Sequence, residues 1–199
     1  MEAPSGYLEK TLQWVSLRIS TADISVKELE PAFAFMLVWS VFEGKLFKDE
    51  NRLSSEGLVA LVKAGRCSVD EEQICKIYDV FAKRYFGPSR VANAFKNLRL
   101  EDSKKTKLFF STDKINDKQF VKLVMQNPNA TFREKFAAVL LVAHRFRNNL
   151  YHGIKRVDKL KEYQNLYLEI NYLLELVVVG YPENWRESQT GVGAAPSNS

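Results

Sequence analysis

The segment FRNNLYHG, residues 146–153, gathers Arg147, Asn148, Asn149, Tyr151 and His152 at the end of a long apolar run. An imidazole titrates near neutrality and a guanidinium offers a permanent, forked cation. Together they have the types needed for acid–base work beside a positive charge. The same residues also make an ordinary polar helix end, with Arg145, Asn148, Asn149 and His152 simply solvated. Other chemistries lack a constellation. There is no glycine-rich phosphate loop, no GxSxG elbow and no HExxH pair. His144 stands eight residues before His152, too far for a paired metal site, and reads as a satisfied, half-buried histidine. The two cysteines, Cys67 and Cys75, fit neither a disulfide framework nor a zinc pattern. They read as reduced thiols, which points to the cytoplasm.

Helical spacing determines where these side chains point. Phe136, Val139, Leu140, Ala143, Phe146 and Leu150 recur at three- and four-residue steps, which predicts a helix with a clean buried face. Arg147 continues that series, so its guanidinium must snorkel, face a cleft, or pair with a carboxylate such as Glu43 or Glu169. His152 lies about 140° further round an ideal helix. An unbroken helix therefore aims it away from Arg147, whereas a break at Gly153 swings it back. Asn148, one turn before His152, is placed to orient it.

The elements around this helix also read as helical. A first helix is expected over residues 6–20. A second, over 27–47, is apolar nearly all round through Phe33, Met36, Leu37, Trp39, Phe42 and Phe47, and is expected at the centre of the bundle. Pro31 suits its first turn. In the middle, SSEGLVALVKAG predicts a short helix, and Ser68 with Glu71 resembles a capping box opening another. PSRVANAFKNL and DKQFVKLVMQN predict two more. DSKKTK is a basic loop, and KLFFST a short strand or buried loop. Thr131 with Glu134 forms a capping box for the helix carrying Arg147. A last helix, over 158–179, ends at Gly180 and Pro182, and residues 182–199 are expected to be a disordered tail. The core is expected in 33–47, 132–150 and 160–179. The fold class is thus all-α, one domain over residues 1–181.

Composition sets outer limits. At 199 residues, 46% apolar and 27% charged, the chain is an ordinary globular protein. A net charge of +5 permits a polyanionic partner without demanding one. The N-terminus does not read as a signal peptide, and the run AFAFMLVWSVF is too short to span a bilayer, so no membrane association is expected.

RNNLYH resembles the signature of the HEPN superfamily, an arginine followed by a polar residue and, after four to six residues, a histidine. Four residues intervene here, Asn148 to Tyr151. The signature closes a long helix, a final apolar helix follows, and an early helix carries an aromatic-acidic run, here WSVFEG. The resemblance covers residues 6–48 and 131–180, which makes 49–129 an insertion in a HEPN-like helical bundle. It implies a metal-independent endoribonuclease needing no cofactor, with Arg147 and His152 as the catalytic pair and Asn148 in support. Glu43 becomes a supporting acidic residue, and Arg145, Asn149, Tyr151, Lys155 and Arg156 become candidate RNA contacts. A ribose 2′-OH attacks its neighbouring phosphate, with histidine as base and arginine holding the developing charge. The products implied are a 2′,3′-cyclic phosphate and a 5′-hydroxyl. One chain supplies a single suitable histidine, so a homodimer is implied, acting in phage defence or as a toxin. A protein inhibitor or an activating defence subunit is the further partner implied. Some family toxins carry a nucleotidylated tyrosine two residues after the histidine; Ile154 stands there instead, against that form of control. The same fold also serves as a non-catalytic module that binds RNA, a nucleotide or a protein. A third reading is a helical interaction subunit in which RNNLYH is only a cap.

Overall fold

The structure is a computed structural model that describes residues 10, 11, 13, 14, 25–47, 53–88, 93–100, 115–151 and 160–182. Seven helices and a 3₁₀ turn make up the ordered elements among these residues, without a strand. They are α1 (Val26–Leu46), α2 (Ser55–Lys63), α3 (Glu71–Phe86), α4 (Ala94–Leu98), α5 (Asp117–Gln126), α6 (Phe132–Tyr151) and α7 (Gln164–Gly180), with the turn at Lys161–Tyr163. Residues 10, 11, 13 and 14 are helical too. KLFFST, DSKKTK and the tail lie outside the described residues.

Helix starts are set by side-chain caps, which satisfy amide donors that have no partner inside the helix. Thr131 and Glu134 form the expected reciprocal box at the head of α6, through Thr131 N to Glu134 Oε2 at 2.7 Å and Glu134 N to Thr131 Oγ1 at 3.3 Å. Ser25 with Glu28 and Asn116 with Gln119 do the same for α1 and α5. Two expectations shift. Asp70, not Ser68, caps α3, accepting from the amides of Glu72 and Gln73. Ser68 instead donates its backbone N–H to the carbonyl of Gly180 at 2.9 Å, joining the loop before α3 to the end of α7. A Cβ at Gly180 would come within 2.1 Å of the Ser68 carbonyl oxygen, so the contact requires glycine. Pro31 is the sixth residue of α1, in its second turn and not its first as expected, since the helix opens at Val26 after the Ser25 box.

The helix at the centre is α6. Every residue from Phe136 to Ala143 is buried, and α2, α3, α4 and α5 all pack against α6. Ala137, Ala138 and Ala143 keep its surface narrow enough for neighbours on several sides. The sequence reading expected α1 there. Instead α1 packs mainly on α7 through Leu29, Ala32, Phe35, Trp39 and Phe42, and its far side leaves Leu37 72% and Val41 58% exposed. Apolar composition alone does not reveal which face lacks a partner.

Aromatic rings tie the helices into one core. Phe35 of α1 meets Tyr167 of α7 at 5.4 Å, Tyr167 meets Phe146 of α6 at 5.5 Å, and Phe146 meets Phe81 of α3 at 6.5 Å. Phe81 continues through Tyr85 to Phe95 of α4. Leu58, Ile74, Ile77 and Phe81, all from the segment read as an insertion, belong to the same buried cluster as Trp39 and Phe146. Burying Phe146, Phe81 and Tyr167 fixes where the C-terminal turns of α6 sit, and those turns carry the polar residues.

Candidate functional site

The polar residues at the end of α6 separate into two faces by helical arithmetic. At about 100° per residue, His144, Arg147, Asn148 and Tyr151 fall on one side, while Arg145 and Asn149 fall on another. Each side is built from pairs one turn apart, the spacing at which helical side chains meet.

The second side faces α4. Asn149 is fully buried, and its Nδ2 donates to the carbonyl of Leu98 at 2.9 Å. Arg145 is half-buried and donates Nε to the same oxygen at 3.3 Å. Leu98 is the last residue of α4, and Arg99 after it takes a left-handed conformation with φ 53°. Terminal helix carbonyls have no partner in their own helix and carry partial negative charge, so an amide and a guanidinium are well matched to this one. Asn149, a candidate RNA contact otherwise expected to be solvated, is instead buried, with its amide nitrogen on Leu98 and its Oδ1 without a hydrogen-bond partner among the described residues.

The first side faces α1. Arg147 points Nη2 at Glu43 Oε2, 3.6 Å away, and donates Nη1 to Asn148 Oδ1 at 3.2 Å. Its guanidinium also lies over the Tyr151 ring, with Cζ 4.7 Å from the centroid. The Glu43 oxygen it faces accepts from Trp39 Nε1 at 2.9 Å. Of the two carboxylates that the helical stripe left open, Glu43 is the partner found. The Trp39 ring stacks on His144, with centroids 6.1 Å apart and an interplanar angle of 14°. His144 Nε2 in turn lies 3.4 Å from Asn148 Nδ2. His144, Asn148, Arg147, Glu43 and Trp39 therefore form a closed ring of contacts between two helices. His144 is half-buried and partnered there.

Electrostatically the ring is poised, not saturated. Arg147 and Glu43 are 28% and 38% exposed at their side chains, and 3.6 Å is an ion pair without a short hydrogen bond. Such a pair contributes about 0–1 kcal/mol. Arg147 Nε is buried and has no hydrogen-bond partner among the described residues. The guanidinium is thus positioned by weak contacts and not neutralised by a bidentate carboxylate. Tyr151 is exposed beside it.

His152, Lys155 and Arg156 lie outside the described residues, so their relation to Arg147 does too. Asn148, expected to orient His152, is described in contact with Arg147 and His144. Trp39 and His144 are members of the cluster that sequence reasoning missed. Their signal was available in the one-turn spacings Trp39–Glu43 and His144–Asn148. The described residues contain no cluster of three or more His, Cys, Asp or Glu side chains arranged to hold a metal. No described helix is long and apolar enough to cross a membrane. Comparison with family models, with curated proteins and with solved structures finds no match for this chain.

Proposed function

We propose that the protein is a metal-independent endoribonuclease of the HEPN type, working as a homodimer in phage defence or as a toxin in the cytoplasm. Arg147 and His152 are the catalytic residues, Asn148 and Glu43 position the arginine, and Tyr151, Lys155 and Arg156 line the path of the RNA. The observation that carries this reading is the setting of Arg147. It is a partly exposed guanidinium, fixed from three sides at the end of the most buried helix. That is the arrangement a phosphate-binding cation needs, since a group already in place costs little reorganisation as charge develops.

In the reaction, His152 removes the proton of a ribose 2′-OH as its oxygen bonds to the adjacent phosphorus. The bond from phosphorus to the 5′-oxygen breaks, and that oxygen takes a proton from the second copy of His152. Arg147 carries the charge on the phosphate oxygens. No water is consumed, and the ends are a 2′,3′-cyclic phosphate and a 5′-hydroxyl.

The test uses purified full-length protein and an RNA with a single 2′-deoxy substitution at the mapped scissile position. Cleavage should persist in EDTA, stop at the deoxy position and be lost in His152→Ala. Equal cutting of the deoxy substrate, or wild-type rates in His152→Ala, would overturn the mechanism. One feature favours the binding-module alternative, namely that Glu43 already faces the Arg147 charge. RNA binding by the dimer without cleavage under any condition would establish that alternative.

A further inference from the structure

The two hydrogen bonds of Asn148 determine a protonation state elsewhere in the ring. Arginine only donates, so the Asn148 atom facing Arg147 Nη1 must be the amide oxygen. The amide nitrogen then faces His144 Nε2, and an amide nitrogen also only donates. His144 Nε2 must therefore be the acceptor, which leaves the imidazole neutral with its proton on Nδ1. An imidazolium carries hydrogen on both nitrogens and cannot accept. Turning the amide over does not help, because its NH₂ would then oppose the guanidinium. Of the three forms a histidine can take, one fits the contact with Asn148.

We infer that His144 is a positioning residue for Arg147, acting through Asn148 only while its imidazole is neutral with Nε2 unprotonated. This deepens the proposed ribonuclease reading, and the link from His144 to Arg147 can be tested without RNA. The ionisable groups in the described contacts of the ring are Arg147 on α6 and Glu43 on α1, with Tyr151 over the arginine. Arg147 and the Asn148 amide oppose a proton on His144. Glu43 favours one, and so does the Trp39 face, to which a cation is attracted. Trp39 has a double part in the ring, because its Nε1 bonds the Glu43 oxygen nearest Arg147. Gain of a proton by His144 breaks the Asn148 contact and removes one of the supports of the guanidinium. The site thereby acquires a loss of competence on acidification that is separate from titration of His152.

The chain has two histidines, so in a His152→Gln protein the His144 ring is the one imidazole to observe. Nitrogen-15 spectra of that protein above the titration should show the Nδ1–H tautomer. Adding Asn148→Asp replaces the donor with an acceptor that suits both Arg147 and an imidazolium. It should raise the proton affinity of His144 about tenfold or more. An Nε2–H tautomer, or a change of less than about threefold in proton affinity, would overturn the inference. With His152 intact, His144→Phe keeps a ring against Trp39 but removes the acceptor, and should slow cleavage about tenfold or more. His144→Gln restores an acceptor that does not titrate. It should recover the rate and move the acid limb of the pH profile to lower pH. Loss of rate in both variants alike would reduce His144 to a packing residue. If the wild type never cleaves, the spectroscopic measurements still decide the His144–Asn148–Arg147 link, while the ribonuclease reading fails separately.

Discussion

Arg145 and Arg147 stand two residues apart on one helix, each with an asparagine nearby, yet the structure gives them opposite surroundings. Arg145 shares the Leu98 carbonyl with buried Asn149, an acceptor that never titrates and never leaves. Arg147 shares a partly exposed cluster with Glu43, Asn148 and Tyr151, in which a carboxylate and, through Asn148, an imidazole can change charge. Residue type is the same in both places. The partner decides whether the arginine locks a helix end or remains free to respond. Backbone acceptors give permanence, and side-chain acceptors give adjustability.

The largest expected effect comes from removing the side chain between the two faces. Phe146 is fully buried against Phe81, Tyr163 and Tyr167, and Phe146→Ala should lower stability by about 3–5 kcal/mol in urea unfolding, loosening both clusters together. Arg147→Ala should separate them. Cleavage should fall roughly 10²-fold or more, equivalent to about 2.7 kcal/mol of barrier, while the unfolding midpoint changes little. Asn149→Ala should show the converse. Losing the amide bond to the Leu98 carbonyl, which Arg145 still serves, should cost about 0.5–1.5 kcal/mol of stability, with the rate per folded molecule unchanged. If Asn149→Ala instead slows cleavage as much as Arg147→Ala, the two faces are one functional unit and the contrast drawn between them is wrong. Glu43→Gln should be the mildest for stability, below about 1 kcal/mol, because the pair it breaks is partly exposed and lacks a short hydrogen bond.

Alkaline pH offers a control on this contrast. Burial pushes the Cys67 thiol up from 9.0 to about 12, with Arg66 pulling modestly the other way. Burial likewise pushes the Tyr78 hydroxyl up from 10.0 to about 12, helped by the nearby Asp79. That hydroxyl donates to the Val124 carbonyl at 2.8 Å. Both groups are bound more tightly to their protons in the folded state. Their stabilising contributions are therefore complete below pH 9 to 10 and disappear as pH rises towards 12. Unfolding free energies measured across this interval should fall, and Tyr78→Phe should flatten part of the decline. Arginine stays charged throughout, so the contacts of Arg145 and Asn149 with the Leu98 carbonyl should not contribute.

Some of this organisation was legible in the sequence for identifiable reasons. The Thr131–Glu134 box and the stripe from Phe136 to Leu150 are local patterns within one helix, and α6 follows them. The ion pair of Arg147 with Glu43 was one of two partners that the stripe left open. What the sequence did not convey was which surfaces meet. The high apolar content of α1 hid the fact that it leaves Leu37 and Val41 in solvent while the less apolar α6 is enclosed. Asn149 looked solvated because nothing local announces that a carbonyl from residue 98 will arrive beside it. The cap of α3 went to Asp70, while the backbone of Ser68 bonds Gly180, a contact between residues 112 positions apart in the chain.

That meeting of Ser68 and Gly180 limits how the protein can be engineered. Replacing helical glycine with alanine is a standard route to a stiffer, more heat-resistant protein, because it reduces the freedom of the unfolded chain. At Gly180 the route is closed by space, since the added methyl would sit where the Ser68 carbonyl already lies. A library designed from helix propensity alone would choose this position and lose the junction between α7 and the loop leading into α3.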